Sequence, residues 1–229
     1  MPLNAIYAIL VAIIPSLAWW LFILSQDVHP EKKQDLAEIF MIGVLTAAPV
    51  LLIVYWVFSL LEVFGIFLPS VVLTFISGAV VEETVKLYML YQFAMKRKFF
   101  DEPIDILIYS ATVALGFAAI ENVFFALSPF AEVGLERMIL IRGITAVVVH
   151  IISTFFMGYY LYLYMETKRK RMLAYGLFAG IGFHGIYNIV VSTSLPALFT
   201  AFYAVGFIPA GIAIMIITEH LKKQSLATS

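Results

Sequence analysis

Cysteine is absent from this 229-residue chain. That excludes a disulfide framework, a thiolate metal site and a thiol nucleophile. Charge is also scarce: 13% of residues are charged, against about 25% in a soluble domain. The net charge of −1 leaves no excess of basic residues for binding nucleic acid. No basic residue precedes the first apolar stretch, Leu3 to Leu24, which is also too long for a signal-peptide core and reads as a retained helix. No internal repeat or low-complexity segment is visible. What abounds is apolar surface, with 63% hydrophobic residues and a mean hydropathy of +1.00. A chain of this length cannot bury that much within itself, so lipid must cover much of it.

A membrane-spanning helix needs roughly 20 mostly apolar residues. Seven stretches qualify, at about 3–25, 36–60, 70–95, 104–127, 138–165, 173–194 and 197–219. The expected fold is therefore all-α: a polytopic membrane helix bundle of about seven transmembrane helices, a single domain over 1–229. The boundary at Ser194-Leu195-Pro196 is the shortest. Pro15, Pro49 and Pro209 fall inside spans as expected kinks. Trp19, Trp20 and Trp56 read as interfacial aromatics. Gly176, Gly180, Gly182 and Gly185 on the sixth stretch read as close helix packing.

The basic residues set an expected orientation. Lys32/Lys33, Lys96/Arg97/Lys98, Lys168/Arg169/Lys170/Arg171 and Lys222/Lys223 follow the odd-numbered stretches and hold 11 of the 14 Lys and Arg. The positive-inside rule then puts the N-terminus outside and the C-terminus in the cytoplasm.

Against this apolar background stand six ionisable residues deep in spans: Glu82, Glu83, Lys86, Glu121, His150 and His184. One such charge at a bilayer centre costs on the order of 2.5–3.5 kcal/mol on insertion scales. Spread over four helices, that cost implies that the groups meet and are used. Glu82 and Glu83 are four and three residues before Lys86, so both can face it and one carboxylate is left over. Glu121 needs a cation, a proton or a metal. His150 lies on the next helix, with Arg142 two turns earlier, and His184 is followed at i+4 by Asn188. The bland alternatives are a buried ion pair for Glu83 and Lys86, and interhelical hydrogen bonds for the histidines. Depths counted at about 1.5 Å per residue place the group mid-membrane, leaning outward. Water and substrate are expected to reach it from the extracytoplasmic side or laterally.

Taken in order, Glu82-Glu83-x-x-Lys86, Phe117-x-x-x-Glu121, His150 and His184-x-x-x-Asn188 on successive membrane helices resemble the PrsW family of intramembrane proteases, relatives of the prenyl-CAAX endopeptidases. The resemblance covers about 70–194. It implies a catalytic role for Glu82 and Glu83 with Lys86 as charge partner, and puts Glu121, His150 and His184 in the site. It also implies a membrane-anchored protein substrate, typically an anti-sigma factor whose first (site-1) cut starts an envelope-stress response. The CAAX relatives usually carry histidine where Glu121 stands, and an arginine four residues after the second glutamate, where this chain has Lys86 three after. Those departures match the PrsW branch and turn the reading away from prenylated peptides.

The expected chemistry is a water deprotonated by Glu82 attacking a peptide carbonyl. Zinc held by Glu121, His150 and His184 suits it, with Glu83 as an alternative ligand. A metal-free version stays open, in which His150 or Glu121 orients the water while His184 and Asn188 donate to the oxyanion. No HExxH motif is present and no aspartate lies deep in a span; Ser77 and Ser153 lack a recognisable base. Two other classes remain, since intramembrane Glu, His and Lys also serve proton- or ion-coupled transporters, and a non-catalytic scaffold or immunity protein would fit the same helices. Glu82→Gln separates the three: an enzyme would bind without cutting, a carrier would lose pH-coupled flux, and a scaffold would keep its function.

Overall fold

The computed structural model describes residues 3–27, 29–97, 100–129, 131, 134–193 and 195–228. Lys98 of the third basic cluster and Ser194 of the last boundary lie outside them. The described residues fold as helices with no strand: α1 (Leu3–Leu24), α2 (Lys33–Val63), α3 (70–94), α4 (Asp105–Ala126), α5 (Leu135–Thr167), α6 (Arg171–Thr193) and α7 (Pro196–Ala227). All but α3 are long and apolar enough to cross a membrane. The helix α3 differs because it carries Glu82, Glu83 and Lys86 in its interior.

Two irregularities bear on the site. Helix α3 is not uniformly α: it runs as α over Ser70–Phe75, as π over Ile76–Val81, as α over Glu82–Met89 and as π over Leu90–Ala94. Each π segment rotates the residues beyond it relative to a regular helix, and such segments recur at functional sites. The glutamate pair begins where the first one ends. Helix α5 breaks at Thr145 (φ −120°, ψ −79°), dividing Leu135–Ile144 from Ala146–Thr167. The break falls between Arg142 and His150, which the sequence placed on one continuous stretch.

Helix α4 is the axis. Burial covers 83% of its apolar window, against 17% for α1 and 11% for α7, so the latter two are peripheral. Helix α2 approaches α4 at Gly43 and Gly116. A Cβ at Gly43 would stand 2.1 Å from the Val113 carbonyl oxygen, and one at Gly116 2.0 Å from the Phe40 carbonyl oxygen. Only glycine allows backbones this close. Pro15 lies inside the continuous helix α1 and packs against Gly143 of α5. Both Trp19 and Trp20 hydrogen-bond inward, to the Gly143 carbonyl (2.9 Å) and Thr112 Oγ1 (3.2 Å), while Trp56 is exposed.

Helices α5 and α6 pack through Gly176 and Gly180 against Met157, and Gly185 lies against the Phe75 ring of α3. That seats α6 between α5 and α3, which brings His184 to the glutamates. The fourth glycine, Gly182, has no atom within 4 Å of where its Cβ would be, so close packing is not its role.

Candidate active site

A relay of polar contacts joins four helices. The relay runs His184, Glu83, Lys86, His150, Glu121, Arg142. Glu83 Oε1 meets His184 Nδ1 at 2.6 Å and accepts from Lys86 Nζ at 2.6 Å. The same ammonium lies 3.0 Å from His150 Nδ1. On the far side of that ring, Nε2 is 3.0 Å from Glu121 Oε2, which also accepts from Arg142 Nη2 at 2.5 Å. Proton positions follow from donor and acceptor types. An ammonium only donates, so His150 Nδ1 accepts and its Nε2–H donates to Glu121; an ionised carboxylate only accepts, so His184 Nδ1–H donates to Glu83. That leaves the His184 Nε2 lone pair available for other chemistry.

Burial makes the relay consequential. Side chains of Glu83 and Lys86 are fully buried, and the His150 and His184 residues nearly so. A buried pair of this kind offsets a desolvation cost of several kcal/mol per ion only with good geometry and full partnering. The Phe117 ring supplies one wall, 4.9 Å from Lys86 Nζ and 5.3 Å from the His150 ring. The two imidazoles stand nearly perpendicular, 4.8 Å apart. Arg142 Nε donates to Asn122 Oδ1 at 2.7 Å, and Asn122 Nδ2 donates to the Ala12 carbonyl at 3.4 Å, so α1 helps hold the arginine in place.

Glu82 stands apart. Among the described residues no ion pair reaches it, and its Oε2 is buried with no hydrogen-bond partner. Three carboxylates (Glu82, Glu83, Glu121) face two permanent cations (Lys86, Arg142), both taken by Glu83 and Glu121. The leftover carboxylate is thus Glu82. Together with Glu121 it lines a cavity of about 70 Å³ between α2 and α4.

Asn188, one turn beyond His184, lies with its amide against Gly78 of the first π segment. A Cβ at position 78 would fall 2.6 Å from Asn188 Nδ2 and 3.8 Å from Glu82 Oε1. The absent side chain is what leaves room for the amide there.

The donor set fits a divalent ion. Glu82, Glu83, His150 and His184 each offer one ligand atom, all within 4.8 Å of one another. Glu82 Oε2 and Glu83 Oε2 are buried and unpartnered, and two imidazoles with carboxylate oxygens are zinc-type ligands. Glu121 is outside this group and reaches it through His150. In the described structure the cation between Glu83 and His150 is the Lys86 ammonium.

The residues expected from sequence therefore divide. Glu82, Glu83, Lys86, Glu121, His150 and His184 come together, and Asn188 flanks them. Arg142 as the partner of Glu121, Asn122 as its brace, and Gly78 as the floor under Asn188 were not assigned from sequence. The available signal was Arg142 itself, a cation within a span facing an otherwise lone carboxylate. Ser77 Oγ donates to the Leu73 carbonyl, while Ser153 Oγ is buried without a hydrogen-bond partner; neither makes a contact with a base.

Residues 31–214 match the family profile described as PrsW family intramembrane metalloprotease. Protease PrsW of Geobacillus kaustophilus is 31% identical over 73% of this chain and 71% of its own length. Protease PrsW of Clostridioides difficile is 30% identical over 80% and 78%, and that of Bacillus subtilis 26% identical over 75% and 76%. No solved structure gives a significant match. The matched region contains every residue of the relay, and the chain belongs to the PrsW family of intramembrane proteases.

Proposed function

We propose that this protein hydrolyses a peptide bond of a membrane-anchored protein with Glu82 as general base. The observation that carries the reading is the division of labour between adjacent glutamates. Glu83 is held through Oε1 by Lys86 and His184, whereas Glu82 has no ion partner among the described residues and lines a cavity. A base must have a lone pair within reach of the water it deprotonates. Each glutamate keeps one buried, unpartnered oxygen, but only Glu82 lines the cavity in which a water can stand.

The remaining residues take supporting roles. Glu83 and Lys86 hold the histidines; Glu121, braced by Arg142, fixes the tautomer of His150. His184 Nε2 and the Asn188 amide border the site from α6 and stabilise charge that develops on the carbonyl oxygen. Where a metal is held, Glu83, His150 and His184 are the proposed ligands, with Glu121 behind His150. A zinc ion there would polarise the carbonyl and acidify water. A glutamate-activated water without metal uses the same base. The transporter and scaffold readings gain no comparable observation.

The proposed substrate is an anti-sigma factor cut in its extracytoplasmic part, with the N-terminus of this protein outside and its C-terminus in the cytoplasm. The test has two arms. Purified protein in liposomes should cut a membrane-anchored reporter, with mass spectrometry locating one cut at the outer side. Cells lacking the protein should keep full-length anti-sigma factor under envelope stress. Cuts on the cytoplasmic side would contradict the orientation, and unchanged anti-sigma processing would contradict the substrate.

A further inference from the structure

The cavity beside Glu82 has a definite way in. Its inner wall is Ala47 and Val50 of α2 with Phe117 of α4, all buried; its rim is Leu51 and Phe124, which are 51% and 43% exposed. These rim residues lie on helices that cross the membrane, so the mouth faces lipid. Glu83, Lys86, His150 and His184 are buried; at the other end of the relay Arg142 borders a second opening of about 540 Å³, which Glu82 does not line. Helices α2 and α4 touch at Gly43 and Gly116, and the cavity lies beyond that contact in the direction of Ala47 and Glu121.

We propose that the scissile segment enters sideways between α2 and α4, across Leu51 and Phe124, in extended form and with a small side chain next to the cut. This rests on the proteolytic reading of Glu82. The size of the cavity sets the restriction. At about 70 Å³ it holds roughly two waters at about 30 Å³ each, so the attacking water leaves room for little more than a methyl group. An intact helix, about 10–12 Å across, does not fit. A segment must unwind to enter, which exposes backbone N–H groups that need acceptors. The lining carboxylates of Glu82 and Glu121 are those acceptors, and the rest of the lining is apolar. In the reaction the water oxygen bonds to the carbonyl carbon as Glu82 takes its proton. The C–N bond then breaks and the proton passes to the leaving amine.

The lack of native cysteine makes the test direct. Single cysteines at 51 and 124, and as controls at Val205 and Met215 on α7 (77% and 69% exposed), carry a benzophenone crosslinker in a Glu82→Gln background. The probe is a single-span reporter set with Gly, Ala, Val, Leu or Phe at the residue before the cut. Crosslinks should form from 51 and 124 at least tenfold more than from 205 and 215. Wild-type protein should cut the Gly and Ala reporters at least tenfold faster than the Leu and Phe ones. Val50→Ala and Leu51→Ala should narrow that gap, and Ala47→Val, which takes up cavity space with a smaller added volume, should slow cleavage at least tenfold while the protein stays folded. Crosslinks mainly from 205 or 215, or a preference unchanged in Val50→Ala and Leu51→Ala, would overturn the entry route. Crosslinks at 51 and 124 with no reporter cut would instead overturn hydrolysis and leave the docking surface standing.

Discussion

The amide of Asn188 rests on Gly78, close enough that a Cβ there would lie 2.6 Å from Nδ2. The contact ties α6 to the π segment of α3 at the point where the glutamates begin. The clash created by Gly78→Ala falls on the far end of a flexible side chain, so the amide is displaced while the fold survives. Misplacement of a positioned group by about 1 Å is worth roughly 100-fold in rate. Gly78→Ala should therefore lower kcat 10-fold or more with little change in thermal stability. It should add nothing in an Asn188→Ala background. Additive losses, measured in a double-mutant cycle, would show that the two residues act separately.

Lys86→Met removes the only ammonium in the relay and leaves Glu83 buried without its cation. Breaking a buried pair from one side costs about 3–5 kcal/mol. Thermal unfolding in detergent should show a large loss of stability. Glu83→Gln/Lys86→Met should recover most of it but none of the activity. Failure of the double variant to recover would mean that the pair is not what stabilises α3.

Arg142→Gln takes one partner from Glu121 and leaves His150 as the other. Loss of an outer partner of an oriented histidine costs about 10–100-fold. Cleavage should fall within that range while reporter binding is kept. Binding lost with the rate would assign Arg142 to substrate contact instead.

Metal content distinguishes the two forms of the mechanism. Protein purified without chelator should carry about one zinc per chain, with His150→Ala/His184→Ala carrying none, as expected of a site with three protein ligands. Metal-free wild-type protein that still cuts the reporter would assign the reaction to a glutamate-activated water.

Much of this was legible in the sequence because the bilayer penalises charge. Glu82, Glu83, Lys86, Glu121, His150 and His184 stand out where each costs several kcal/mol unless paired, and hydropathy located the helices carrying them. Spacing could not decide which glutamate takes Lys86, since i+3 and i+4 both face it; the structure gives Lys86 to Glu83. The break at Thr145 had only a weak local signal, Gly143 two residues earlier, so 138–165 was read as one unbroken stretch. Gly78 and the Gly43–Gly116 contact are long-range demands for space, which no local pattern encodes. Gly182 was grouped with its neighbours by spacing alone, although its side of α6 is open.

The mechanism stands on Glu82 as the proposed base. Its most direct test is the single-turnover cleavage rate of a bound membrane-anchored reporter by wild type and Glu82→Gln in liposomes. General-base catalysis contributes about 100- to 10,000-fold. Glu82→Gln should lose at least about 100-fold in rate with unchanged reporter affinity and an unchanged unfolding temperature. A Glu82→Gln protein that cuts within threefold of wild type would contradict it.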